Sequence, residues 1–198
     1  PSKVSQEIKD QLKDFVVFKP EDHLFGTLKD IKDQSDNNLN IAYSSSNTTY
    51  DTYQKLESIV DEKTKLVSLN SNPIAKMRAI KNPIELASMK DGMNRADRAV
   101  NDVMNYINRM VKEGKKVTEK DLEDKMKEAH FNHGANALSF SVIPAVGPNA
   151  AIVHYSDGNP DVEIKAGDLI LLDTGGYYDA GYATDLTRSW LAGGKHGV

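Results

Sequence analysis

The chain contains no cysteine. That absence excludes disulfides, thiolate metal sites and a cysteine nucleophile, so any metal must be held by Asp, Glu or His, a donor set that favours hard or borderline ions. Also missing is an apolar run approaching the roughly 20 residues needed to span a bilayer. The first residues, PSKVSQEIKDQLKD, lack the basic-then-apolar order of a signal peptide. No membrane partner is therefore expected, and a cytoplasmic location is the default. There is no excess of positive charge: 25 basic residues against 29 acidic ones give a net charge of -4, and no basic stripe interleaved with aromatics offers a nucleic-acid surface. Neither an internal repeat at solenoid spacing nor a low-complexity tract is visible. What is there is a globular balance of 39% hydrophobic and 27% charged residues over 198 positions, enough for one sizeable domain or one domain and part of another.

Residues 1–76 alternate helical and strand-like pieces, an α/β pattern. Phe15 to Phe18 form a short apolar run, Leu24, Leu28 and Ile31 have helical spacing, and Leu39 to Tyr43 read as a strand. A helix through Tyr53, Leu56, Ile59 and Val60 and a strand over Leu66, Val67 and Leu69 follow. Two Asn-Pro pairs, Asn72-Pro73 and Asn82-Pro83, mark a junction, and a second domain is expected over 77–198.

That second part opens with a strong helix signal. Asn82 supplies a cap, Pro83 suits the first helical position, and Glu85 completes a capping box. Ile84, Met89, Met93, Ala96, Val100, Val103, Ile107 and Met110 then form one apolar stripe that stops before Gly114. Thr118 opens another helix with Leu122, Met126 and Ala129 on one face and Gly134 as the stop, which leaves His130 and His133 on a solvated helix end. Beyond it the period changes to two. Leu138, Phe140 and Val142 alternate with small residues, and Ala151 to His154 read as another short strand. The fold class expected is thus α/β of the α+β kind.

The run LLDTGGYYDAGYATDLTRSW carries the chemistry. Asp173 closes a buried apolar strand, Gly175 and Gly176 begin a turn region, and Asp185 sits on the returning arm. If the two aspartates are directly opposed about Asp179, with Gly181 left-handed in the loop, their Cβ atoms lie roughly 5 Å apart and both carboxylates can reach shared metal. Spacing alone favours the plainer reading, a solvated surface hairpin.

The order of motifs, IKNPIEL opening a helix, then SFSVIPAVGPNAAIVHY, then LLDTGGYYDAGYATDLTRSW, resembles the pita-bread metallopeptidases over residues 73–193, most of all the three-domain Xaa-Pro aminopeptidases. The resemblance implies the first half of a pita-bread domain, preceded by part of a creatinase-type α/β domain. It also implies a dinuclear centre, commonly manganese with cobalt or zinc as substitutes, that releases the N-terminal residue from peptides with proline in the second position. Asp173 and Asp185 match the first two metal ligands of that family. His154 matches its catalytic histidine outside the metal shell, although a lone histidine in a strand is ordinarily only hydrogen-bonded. Thr187 and Arg188 fall where a hydrogen bond to a ligand and charge balance are expected. Phe140 matches a pocket-lining position and suits a core position equally well. The family's remaining His and two Glu have no counterpart here, His196 matches no ligand, and the chain reads as an internal, inactive fragment whose uncovered faces favour a homo-oligomer. Prolidase and a non-catalytic peptide-binding module are the alternative readings.

Overall fold

The computed structural model describes residues 4–179 and 181–194. The chain forms two compact units, residues 1–80 and 81–198.

In the first unit, helices α1 (Gln6–Leu12) and α2 (Leu24–Asp33) precede strand β1 (Leu39–Ser44), helix α3 (Tyr50–Glu57), strand β2 (Thr64–Leu69) and helix α4 (Pro73–Ala79). β1 and β2 pair in parallel from Leu39↔Thr64 to Ser44↔Leu69. Parallel neighbours require a crossover, which α3 supplies. The expected strands and the helix over Leu24 to Ile31 are observed, whereas the helix expected through Ile59 and Val60 ends at Glu57. The Phe15 to Phe18 run forms no regular element, and Phe15 and Val17 face solvent.

The second unit begins with the 30-residue helix α5 (Pro83–Lys112). Asn82 Oδ1 accepts from the Glu85 amide at 2.9 Å and Glu85 accepts from the Asn82 amide at 2.7 Å, so two of the helix's unpaired donors are satisfied. Helix α6 (Glu119–Asn132) starts from an equivalent box between Thr118 and Asp121 and stops at Gly134, whose φ of 87° few other residues adopt. Strands β3 (Ala137–Leu138), β4 (Ile143–Val146), β5 (Leu169–Thr174), β6 (Gly176–Tyr177) and β7 (Leu186–Leu191) complete it. β4, β5 and β7 form an antiparallel sheet with β5 central, and β3 pairs with β6.

Ile170, Leu172, Leu186 and Trp190 from the sheet meet Ala96, Val100, Val103 and Ile107 of α5 and Leu122 and Met126 of α6 in one buried core. Each such large aliphatic side chain contributes about 1.5–3 kcal/mol on burial. The expected α5 stripe is fully buried only from Ala96 onward; Met89 is half-buried and Ile84 is 79% exposed.

Two strand expectations are corrected. The alternation over Leu138, Phe140 and Val142 does not continue through one strand. Leu138 pairs with Gly176 and Ile143 with Asp173, so five residues advance on one side against three on the other, and the chain changes partner across residues 139–142. Ala151 to His154 form no strand: the 3-10 turn Gly147–Ala151 runs into a bend and a turn, and His154 has a left-handed φ of 54°. A short apolar run does not distinguish these outcomes by periodicity.

His130 is likewise not on a solvated helix end. It is fully buried, with Nδ1 2.9 Å from the Tyr178 hydroxyl and Nε2 2.8 Å from Thr174 Oγ1. His133 does reach the surface, 2.8 Å from Asp102. Burial, with a smaller contribution from His133, pushes the His130 imidazole down to about 4. A neutral imidazole can donate to one hydroxyl and accept from the other, while the protonated ring can only donate.

Two outcomes follow from this packing. The unfolded chain binds the His130 proton near pH 6.5 and the folded chain only near 4, so stability is to fall as pH drops through that window. The slope contributed by this group is up to about 1.4 kcal/mol per pH unit. Urea unfolding of wild type and His130→Gln across pH 4 to 7 checks it; identical slopes would refute the assignment. A Cβ on Gly175 would collide with the Thr184 carbonyl oxygen and Ser139 Oγ. Gly175→Ala is accordingly expected to destabilise by at least about 1–3 kcal/mol, measured in the same unfolding experiment.

Candidate metal centre

The β5–β7 ladder fixes where the two aspartates stand. Asp173 is paired with Thr187 and Thr174 with Leu186, and the same register continues to the bridge between Tyr177 and Ala183. The two aspartates are therefore not directly opposed. Asp185 falls opposite Gly175, one residue before β7, and shares the face of Thr187 and Asp173 because side chains alternate along a strand. Diagonal neighbours of this kind lie about 7–8 Å apart, wider than direct opposition. Beyond the Tyr177–Ala183 bridge Gly181 is left-handed at φ 70°, as expected, with its amide 2.7 Å from the Tyr178 carbonyl.

Alternation also separates wet from dry. Ile170, Leu172 and Thr174 are buried, while Asp173 is half-buried and Asp185 and Thr187 are exposed. A buried threonine flanks each aspartate. Thr174 is held by His130; Thr184 Oγ1 accepts from the Gly176 amide at 2.9 Å, and the Thr184 amide donates to the Gly176 carbonyl at 2.9 Å. At the far end, Arg95 pairs with Asp179 at 3.0 Å and the Tyr182 hydroxyl donates to Glu85 at 2.7 Å, anchoring the turn to α5. The Tyr182 hydrogen bond, and then that of the Asn82 amide, holds the Glu85 carboxyl below its ordinary range.

Thr187 Oγ1 donates to Asp173 Oδ1 at 2.9 Å, which orients the carboxylate and leaves its other oxygen free of that bond. The Arg188 guanidinium reaches Asp97 of α5 at 2.8 Å, on the helix side of the sheet. Phe140 is half-buried in the partner-change segment. His154 is exposed, in the segment that follows β4. His196 lies outside the described residues.

The donors fit a hard divalent ion in kind, since both are carboxylates on one open face. Among the described residues no group of three or more carboxylates or imidazoles is placed to hold a metal ion. Sequence reading missed the buried polar groups around the hairpin, Thr174, Thr184 and His130, and the buried α6 carboxylates Glu119 and Glu123. Thr174 and Thr184 stand next to the aspartates and Glu119 in the first turn of a helix, where an acid ordinarily serves the helix dipole, while Glu123 and His130 carry no local signal.

No helix among the described residues is long and apolar enough to cross a membrane. The family model for metallopeptidase family M24 matches residues 89–197. An uncharacterised peptidase of Schizosaccharomyces pombe is 30% identical over 193 residues, covering 96% of this chain and 30% of that protein. A probable Xaa-Pro aminopeptidase P of Coprinopsis cinerea is 32% identical over 137 residues, covering 67% of this chain and 21% of its own length. Among solved structures, the X-prolyl aminopeptidase of Caenorhabditis elegans, described as a cytosolic enzyme with a di-nuclear active site, superposes with a TM-score of 0.77 at 23% identity. That superposition covers 98% of this chain and 31% of the nematode chain. The chain thus spans less than a third of the length of these relatives. With more than half of its residues matched by the family model and an α+β fold shared with the solved structures, the chain belongs to metallopeptidase family M24.

Proposed function

We propose that this chain is part of a dinuclear metallo-aminopeptidase that releases the N-terminal residue from Xaa-Pro peptides. The observation that carries the reading is the Asp173, Thr187, Asp185 face, with one carboxylate already oriented by a threonine hydroxyl. Asp173 and Asp185 would hold two divalent ions, with manganese the first choice for an oxygen-rich set. When bound, such a pair supplies a nucleophile of lowered pKa and polarises the scissile carbonyl.

This chain's own residues do the rest. Thr187 keeps the Asp173 carboxylate in one orientation, and the buried Thr174 and Thr184 keep the backbone on either side from shifting. His154, exposed on its turn, would hydrogen-bond the substrate near the scissile peptide. Phe140 would line the pocket. Within this reading the substrates are peptides with proline second, the setting is cytoplasmic, and copies associate. The uncovered Ile84, Leu86 and Met93 on the first turns of α5 support association.

Two ligands do not close a dinuclear site, so the 198-residue chain alone is expected to show no Xaa-Pro cleavage, whereas the longer protein with manganese cleaves. In that longer protein Asp173→Ala abolishes cleavage and lowers bound manganese measured by elemental analysis. Thr187→Ala lowers activity or metal affinity about 10- to 100-fold, as loss of a ligand's supporting hydrogen bond does. Full activity of Asp173→Ala, or no metal bound by the intact protein at micromolar manganese, would overturn the reading.

A further inference from the structure

Glu119 is a buried carboxylate that the metal face does not use. It is the first residue of α6 and is 0% exposed. One carboxylate oxygen accepts from the Val146 amide at 2.9 Å and from Asn149 Nδ2 at 2.9 Å. The other accepts from the Tyr155 hydroxyl at 2.7 Å and the Asn159 amide at 3.2 Å. A buried carboxylate without partners is strongly unfavourable; four donors and the positive end of a helix offset that here.

All four donors belong to one segment, residues 146–159. That segment leaves β4, passes through the 3-10 turn and carries His154. It contains the two non-glycine residues with positive φ among those described, His154 at 54° and Asp157 at 53°. Such conformations cost about 1–3 kcal/mol each and persist only where the surroundings over-determine them. The surroundings do so next to each one. Tyr155, directly after His154, is held by Glu119; Gly158, directly after Asp157, donates its amide to Glu123 at 3.0 Å. Gly158 is pressed so closely on α6 that a Cβ there would lie 2.6 Å from the Glu119 carbonyl oxygen. Asn149 Nδ2 also contacts the Tyr155 hydroxyl at 3.1 Å, joining the two ends of the turn. Burial first, and then the Glu119 carboxylate, pushes the Tyr155 phenol up to about 12, so it stays a donor at any working pH.

We propose that Glu119 is a positioning residue, whose carboxylate holds segment 146–159, through Tyr155 and Asn149, in the strained conformation that presents His154 to the substrate. This rests on the role given to His154 under Proposed function. Glu119 touches neither metal nor substrate; it acts through the loop. Glu119→Gln places an amide against two of the four donors and releases the segment, while Tyr155→Phe removes a single donor and loosens it less.

Two measurements on the intact protein test this. By amide hydrogen exchange, Glu119→Gln is expected to speed exchange across 147–159 at least about tenfold while the α5 core amides keep their protection, with Tyr155→Phe a smaller change in the same place. Unchanged exchange over 147–159 in a folded Glu119→Gln, or in Tyr155→Phe if Glu119→Gln does not fold, overturns the proposal without any assay of activity. In a double-mutant cycle on Xaa-Pro cleavage, Glu119→Gln is expected to lower kcat about 10- to 100-fold in the wild-type background and less than about twofold when His154→Ala is already present. Equal losses in both backgrounds overturn the proposal alone. Full activity of His154→Ala overturns the role of His154 itself, and the proposal with it.

Discussion

One face of the β5–β7 hairpin has to stay dry while the other stays wet, and much of the second unit follows from that constraint. Ile170, Leu172, Leu186 and Trp190 lie against α5 and α6, which leaves Asp173, Thr187 and Asp185 on the open face. Because strand side chains alternate, a slip of one residue would bury the aspartates and expose the leucines, at a cost that the whole core resists. The register is thereby set by hydrophobic burial, and the spacing of the two carboxylates is a by-product of it. Their diagonal placement follows from that register, in which Asp173 pairs with Thr187 rather than with Asp185.

Helix α6 then links two regions of the unit that are distant in sequence. Its 14 residues, about 21 Å long, carry buried polar groups at both ends. Glu119 and Glu123 in the first turns grip the segment that bears His154, and His130 in the last turn grips Thr174 beside Asp173. Glu123 is further engaged by Lys120 and Lys127, and its carboxyl lies below the ordinary value despite burial, which opposes that shift. A helix whose apolar face is only Leu122, Met126 and Ala129 is thus fastened at each end by hydrogen bonds as well as by packing.

Much of this was legible where the cause is local. Asn82-Pro83 with Glu85, and Thr118 with Asp121, are complete caps within four residues, and both helices begin where those signals fall. The glycine stops at Gly114 and Gly134 and the left-handed Gly181 are local in the same sense. Less was legible where the cause is a distant partner. Leu138, Phe140 and Val142 alternate like one strand, yet the chain changes partner within them because β6 and β5 are offset neighbours. The ion-pair partner of Arg188, Asp97, stands ninety-one residues away, where no local pattern points.

The amino-acid sequence by itself determined the boundaries of α5 and α6, the apolar face of the hairpin and the presence of two carboxylates on its arms, because propensity, capping and period-two patterning act over a few residues. Only the tertiary structure decided which polar residues are buried. Glu119 reads as an ordinary first-turn acid and His130 as an ordinary helix end until Val146, Asn149, Tyr155 and Asn159 close over one, and Thr174 and Tyr178 over the other. Burial depends on what packs from elsewhere in the chain, and a carboxylate or imidazole is tolerated inside only when that packing brings its hydrogen-bond partners with it.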